Sequence, residues 1–186
     1  MKPDDSSPLC LECGLCCNGV IFADVQLQPG DDARRLASLG LPVGAPVTRR
    51  PAVRESKPDS VAEPLKFSQP CAGFEGCRCR IYDDRPKYCR EFECLTLKRV
   101  NAGRLGLTEA QRIIREARRR ADNVRRLLLE LGDKDERSAL SLRFQRMTKR
   151  VESHPADDET ADTYSRLTLA VHDLNLLLAQ AFYPGA

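Results

Sequence analysis

The chain has 186 residues, 41% hydrophobic and 31% charged, which is an ordinary composition for one globular domain or two small ones. Its net charge of only +3 disfavours nucleic-acid binding through a dominant electrostatic contact with phosphates. Since no apolar run could span a bilayer and no apolar signal core follows the first residues, the sequence predicts a cytoplasmic protein without a membrane partner.

The first forty residues are predicted to hold little regular structure. Residues 1–9 have the composition of a loose polar arm, and residues 10–19 that of a glycine-containing loop. A short strand is predicted over residues 20–28. A short helix capped by Asp31 or Asp32 should follow and end near Gly40.

The next segment is rich in proline and has no lasting hydrophobic period. It is predicted to be extended, with short strands near residues 46–54 and 64–68. A second loop should follow over residues 71–80. A helix capped by Asp84 is then predicted to run towards Leu95.

The second half of the chain is predicted to form three amphipathic helices. Thr108 and Gln111 have the spacing of a capping box for the first of them, and Gly132 should end it. Apolar residues then recur every three or four positions, at Leu140, Phe144, Met147 and Val151 in the second helix and at Tyr164, Leu167, Val171, Leu174, Leu178 and Phe182 in the third. Short connections between such helices favour an antiparallel bundle.

The arginines of the first long helix alternate with acidic residues and lack stacking aromatics. This pattern is typical of a solvated face with ion pairs three or four residues apart, rather than of an RNA-binding surface. The apolar seams should form the bundle's own core. A homodimer or partner-protein contact, if one exists, is expected in this helical half.

The predicted fold class is mainly α, with a small irregular α+β cysteine-rich part and a C-terminal antiparallel helical bundle. Residues 1–98, including the arm over 1–9, form the predicted metal-binding region. Residues 99–186 form the three-helix region, packed on the first.

All nine cysteines lie in the first half of the chain: Cys10, Cys13, Cys16, Cys17, Cys71, Cys77, Cys79, Cys89 and Cys94. The odd count excludes complete internal disulfide pairing, and clustered thiols in a reducing compartment indicate a metal site. The two histidines, His154 and His172, lie in the helical half, where surface or capping roles are expected. Ligation by sulfur alone favours an iron–sulfur cluster over zinc.

The spacing of the first four cysteines carries the strongest signal. Two intervening residues let a turn direct two sulfurs at one point, and Gly14 stands where such a turn often needs a positive φ. The same spacing occurs in runs that bind 4Fe–4S clusters. Because adjacent side chains of an extended segment point apart, one of Cys16 and Cys17 should ligate, and the other should face a second metal, bridge or pack. Cys89 is expected near the start of a helix, where the dipole and nearby basic residues favour its thiolate.

At these residues the sequence resembles the YkgJ-type cysteine-cluster proteins, which carry a C-x-x-C-x-x-C-C signature and are described as zinc- or iron-chelating. The resemblance covers residues 9–95 in three blocks: the first four cysteines, the Pro70-Cys71 pair, and the segment from Cys79 through Arg85-Pro86 to Phe92. It implies metal ligation by Cys10, Cys13, Cys16, Cys17, Cys71, Cys79 and Cys89. Cys77 and Cys94 are additional to the common pattern, with an even balance between ligand and spare thiol.

Seven matching thiols exceed the four ligands of a single tetrahedral zinc site. A second metal, a cluster, or thiols with another task would each explain the surplus. The predicted function is metal binding, as iron, an iron–sulfur cluster or zinc. The alternatives are a metal-dependent enzyme with an open coordination position and a zinc-stabilised interaction module. Catalytic residues cannot be assigned, because nucleophile-elbow, phosphate-loop, dinucleotide and zinc-protease motifs are all missing from the sequence.

Overall fold

The structure, a computed structural model, describes residues 8–44, 64–153 and 157–183. Its helices are α1 (Pro8–Cys13), α2 (Ala33–Ser38), α3 (Lys87–Glu91), α4 (Leu95–Asn101), α5 (Leu107–Glu130), α6 (Leu140–Ser153) and α7 (Asp158–Ala181). Its strands are β1 (Asp24–Gln26), β2 (Lys66–Ser68), β3 (Phe74–Glu75) and β4 (Arg78–Cys79), paired as two small antiparallel sheets, β1–β2 and β3–β4. The predicted fold class is confirmed.

The long helices α5 and α7 lie against each other and supply most of the larger core. This core contains Ala110, Ala117, Ala121, Val124 and Leu128 from α5 together with Leu167, Leu174, Leu178 and Phe182 from α7 and its end. The alanines allow a close approach of the two helices, because they add little bulk at the contact. The end of α7 lies beside the start of α4, where the Leu95 N–H donates to the Phe182 carbonyl at 3.1 Å. The predicted antiparallel packing follows from this arrangement.

The predicted capping box of α5 is wrong. The N-cap residue is Gly106, and it makes no side-chain cap hydrogen bond. Thr108 and Gln111 both lie inside the helix, and the Gln111 amide donates to the Glu12 carboxylate at 3.1 Å. The predicted end of α5 is confirmed, since Gly132 follows the C-cap residue with a φ of 84°.

The predicted loop at the first cysteines begins as a helix. α1 packs against α5, and Leu9 and Leu15 are buried in the larger core. Residues 8 and 9 of the predicted arm belong to α1. Residues 1–7 lie outside the described residues. The first cysteines are attached to the bundle through these two leucines.

A smaller core lies under the two strands β1 and β2. It consists of Val25, Leu36, Leu41, Phe67 and Ile81. Strands predicted over 20–28 and 64–68 are each three residues long, with Val25 opposite Phe67. The strand predicted over 46–54 lies outside the described residues. Asp32 caps α2 by accepting from the Arg35 N–H at 2.8 Å, as expected.

The single helix predicted from Asp84 towards Leu95 is divided into α3 and α4. Asp84 does not cap α3. Its carboxylate pairs with Arg35 at 3.1 Å, and the Arg35 guanidinium holds the pKa of the Asp84 carboxyl below its usual value. The first N–H of α3 donates instead to the Asp31 carboxylate at 2.8 Å. An acid from a distant segment therefore satisfies the start of α3, a long-range contact that local spacing could not indicate.

The arginine-rich face of α5 forms the predicted ion pairs. Glu116 accepts from both Arg119 and Arg120, and these contacts lower the pKa of Glu116 to about 2. In the segments that the structure describes, no helix is long and apolar enough to cross a membrane. The predicted boundary after residue 98 falls within α4, and the division into two regions stays a prediction.

Candidate metal centre

All nine cysteines line one cavity of about 410 Å³ between the larger and the smaller core. All nine lie within the described residues and all are free thiols. Eight are half-buried, and Cys10 is exposed. The fold therefore gathers sulfurs that are separated by as many as 84 positions in the sequence.

The first four sulfurs come from α1 and the turn that follows it. Cys10 and Cys13 lie on α1, while Cys16 and Cys17 lie in the turn. The N–H groups of Cys17 and Asn18 both donate to the Gly14 carbonyl at 3.0 Å, and Gly14 has the predicted positive φ, 65°. The chain thus reverses between Cys13 and Cys16 and keeps both sulfurs on the cavity.

Four of the five remaining sulfurs come from four different local structures. Cys71 is joined to the first turn, because its N–H donates to the Cys17 carbonyl at 2.8 Å. Cys79 lies on β4, and the prediction of a loop over residues 71–80 is wrong, because this segment contains the β3–β4 hairpin. Cys89 lies within α3, as predicted. Cys94 is the N-cap residue of α4, and its Sγ accepts from the Leu97 N–H at 3.5 Å.

The turn that carries Cys16 and Cys17 is held against the loop before α6. Gly19 has a φ of 78°, and a Cβ built there would lie 3.0 Å from Ala139 Cα and 3.2 Å from Pro70 Cδ. The Gly19 carbonyl also accepts from the Leu140 N–H at 2.8 Å. Backbone contacts on this side leave the turn little room to move.

We expect Gly19→Ala to lower the free energy of unfolding by about 2–4 kcal/mol, because strain at positive φ adds to overpacking against backbone. Gly103→Ala is the matched control, since Gly103 has a φ of 65° but open space around its Cα. The control should cost about 1 kcal/mol. Equal losses for the two variants in denaturant unfolding would contradict the account.

Burial raises the pKa of the cavity thiols, and neighbouring sulfurs raise it further. The pKa values of Cys13, Cys17 and Cys89 rise to about 12, and that of Cys16 rises well above the ordinary value. Cys10 is exposed as a whole residue, yet its pKa rises to about 11, because protein surrounds its sulfur and Cys94 lies near. Without a cation these thiols are protonated at neutral pH.

This result overturns the expectation that Cys89 favours its thiolate. Burial is the largest cause of its raised pKa, followed by the sulfurs of Cys71 and Cys79. Arg85 acts in the opposite direction but is outweighed. The expectation used only the basic residues next to Cys89 in the sequence. The cysteines that raise its pKa, Cys71 and Cys79, come from other segments of the chain.

Backbone amides already point at several of these sulfurs. Cys71 Sγ accepts from the Gly73 N–H at 3.3 Å, in addition to the Leu97 contact of Cys94. Backbone N–H groups also lower the pKa of Cys13 and Cys79, through Leu15 and Ile81. Such donors favour a charged thiolate and are typical around sulfur ligands of metals.

The cavity wall contains one buried polar atom without a partner. Gln69 is 2% exposed, and its Oε1 accepts no hydrogen bond from any described residue. A buried amide oxygen of this kind is costly unless something polar lies beside it. The rings of Phe22, Tyr88 and Phe92 also line the cavity and pack together with centroids 4.8–5.9 Å apart. The donor set and this orphaned atom fit a bound metal group better than an apolar ligand.

Cys77 stands apart at the rim of the cavity. Its Sγ accepts from Arg118, which also donates to the Glu12 carbonyl at 3.0 Å. Arg118 belongs to the arginines predicted to be purely solvated, so its role as a tether of the cysteine region was missed. Cys77 and Arg118 also line an outer groove of about 890 Å³, together with Arg78 and Arg115.

Among the described residues, no three or more His, Cys, Asp or Glu side chains stand in a geometry that would already hold a metal ion. His172 lies exposed on α7 and does not line the cavity. His154 lies outside the described residues.

Nine free thiols around one cavity are typical of the cysteine-rich proteins that chelate soft metal ions. The chain belongs to the CxxCxxCC family, described as a putative zinc- or iron-chelating domain, whose model matches residues 9–110. The resemblance noted in the sequence is thereby confirmed. The curated proteins and the solved structures include no match to the chain.

Proposed function

We propose that this protein binds iron, as an iron–sulfur cluster, through cysteine thiolates of the cavity. The observation that carries the proposal is the gathering of nine free thiols from both ends of the cysteine region around one cavity. The family's description supports chelation of zinc or iron. The preference for a cluster is our own inference.

Three features of the cavity favour a cluster over a single zinc ion. The thiols outnumber the four ligands of a closed zinc site. A volume of about 410 Å³ is larger than one ion bound directly by four sulfurs would need. Histidine, a frequent zinc ligand, does not line the cavity in the described part of the chain.

The chain's own residues would exclude water and stabilise negative sulfur. The backbone N–H groups of Gly73 and Leu97 remain donors to sulfur after deprotonation. Phe22, Tyr88 and Phe92 cover one side with apolar surface, which limits solvent access. When bound, the cluster would supply a cross-link between distant segments and a one-electron redox centre.

The proposed setting is the cytoplasm, which keeps thiols reduced. Zinc in place of iron is the alternative for the same cavity, and it would make the centre structural. A contact with a second copy or with another protein stays a prediction for the helical half.

The test is the metal content of protein purified in the absence of oxygen. We expect iron and acid-labile sulfide in equal amounts, with broad visible absorption that bleaches in air. The matched control is His172→Ala, which should keep the full metal content because His172 lies outside the cavity. Colourless protein containing zinc would support the zinc alternative. Protein without iron or zinc, unable to take up either, would overturn the proposal.

A further inference from the structure

The cavity thiols divide according to the core against which they pack. The larger core carries Cys13, Cys16 and Cys94, and the smaller core carries Cys71, Cys79 and Cys89. Each core therefore presents three half-buried sulfurs to the cavity. This division does not follow the sequence, because Cys94 packs with the first segment although it is only five positions from Cys89.

Cys17 completes the set on the smaller core. Its carbonyl accepts the Cys71 N–H at 2.8 Å, which places the two residues side by side. Cys71 packs against the smaller core together with Cys79 and Cys89. The backbone contact with Cys71 therefore places Cys17 beside these three cysteines.

Cys10 completes the set on the larger core. Cys10 and Cys13 are three positions apart on α1, so their side chains lie on the same face of that helix. Cys13, Cys16 and Cys94 pack against the larger core. Cys10 is therefore the fourth cysteine on this side of the cavity.

We propose that the cavity holds two metal centres: the first cysteine group, Cys10, Cys13, Cys16 and Cys94, binds one, and the second cysteine group, Cys17, Cys71, Cys79 and Cys89, binds the other. This inference rests on the proposed function and deepens it by assigning the number of centres and their ligands. Cys77 ligates neither centre.

Each group has the donors that one centre needs. Four thiolates complete the coordination of one tetrahedral zinc ion or one 4Fe–4S cluster. Cys10, Cys13 and Cys16 have the two-residue spacing of a cluster-binding run, and Cys94 supplies the distant fourth ligand. Each group also includes a sulfur with a backbone donor, Cys94 from Leu97 and Cys71 from Gly73.

The adjacent Cys16 and Cys17 are the junction between the centres. Since they belong to different groups, a single centre would have to draw sulfurs away from one of the two cores. The Tyr88 ring lines the same cavity and packs beside Cys89 against the smaller core. Two centres in one cavity would be close neighbours.

Cys77 is excluded by its own contacts. Its Sγ accepts from the Arg118 guanidinium at the cavity rim, and its φ of 72° turns the chain there between β3 and β4. These contacts make Cys77→Ser the matched control, a cysteine lost from the same cavity without loss of a ligand.

The experiment counts metal in full-length protein purified without oxygen. Wild type should contain two centres per chain, as about eight iron and eight sulfide ions or about two zinc ions. Cys94→Ser and Cys89→Ser should each retain half of that content, and the double variant should retain none. Cys77→Ser should retain all of it.

The metal content of the wild-type protein tests the number of centres even if a variant fails to fold. One centre per chain in wild type would overturn the two-centre proposal and leave the proposed function standing. Protein that binds no metal would overturn both. Loss of a whole centre in Cys77→Ser would overturn the ligand assignment. In reduced wild-type protein with two clusters, we also expect magnetic coupling that is lost in each single ligand variant.

Discussion

Removal of the bound metal under reducing conditions is expected to unfold the cysteine region, residues 8–44 and 64–94, while α5 and α7 stay folded against each other. The cysteine region has helices of five or six residues, strands of two or three residues, and a smaller core of five side chains. Elements this short are marginal without a cross-link. Structural metal sites contribute about 10–16 kcal/mol to folding in small domains, as much as the whole stability of an ordinary protein.

Hydrogen exchange before and after chelation measures this effect. Amides of β1, β2 and α3 should lose protection by about a hundredfold or more, while the central amides of α5 and α7 keep theirs. Restoring the metal should return the protection. The control is the same chelation carried out on protein that was never metal-loaded, which should show little change. Unchanged protection of the cysteine region after complete metal loss would contradict a structural role of the metal.

Breaking the buried ion pair between Arg143 and Asp133 is expected to have the next largest effect. The two side chains are only 5% and 11% exposed, and Arg143 Nε donates to the Asp133 carboxylate at 3.2 Å. Arg143 also donates to the Asp133 carbonyl at 3.2 Å. In Arg143→Met the carboxylate loses its partner inside the protein, and we expect a loss of about 3–5 kcal/mol in the free energy of unfolding.

The control for this variant is Arg112→Met. Arg112 pairs with Glu109 on the surface, where the side chains are 70% and 45% exposed, and such pairs contribute about 0–1 kcal/mol. Denaturant unfolding of both variants in the metal-bound state gives the comparison. Similar stabilities for the two variants would mean that the Asp133 loop is not held by this pair. The loop also supports the cysteine turn through Leu140 and Gly19, so metal uptake by Arg143→Met should be slower.

The long helices could be predicted because many residues repeat the same signal. The seam of α5 continues for six turns, and its end at Gly132 has a clear backbone reason. The wrong predictions concern element boundaries and short elements, for which only one or a few residues carry a signal. Thr108 has the side chain of a cap residue, but α5 begins at Leu107, with Gly106 as its N-cap residue, and Gln111 contacts Glu12. Six residues of α1 were too few to show a period, and the two glycines that follow favoured a loop.

The candidate site could be predicted in its members but not in its arrangement. The spacing of the cysteines indicates which of them gather. It carries no information about Cys94, which reaches the first segment because α4 docks on the end of α7, where the Thr96 hydroxyl donates to the Ala181 carbonyl. The spacing also gives no information about the burial that raises the pKa of Cys89, where a lowered pKa was expected. Both depend on contacts between residues far apart in sequence.

In the proposed function, several of these sulfurs bind metal directly. X-ray absorption at the metal edge of protein purified without oxygen measures the ligand atoms themselves. The account predicts a first shell of sulfur alone, at about 2.3 Å. A first shell of nitrogen and oxygen, or the absence of bound iron and zinc, would contradict it.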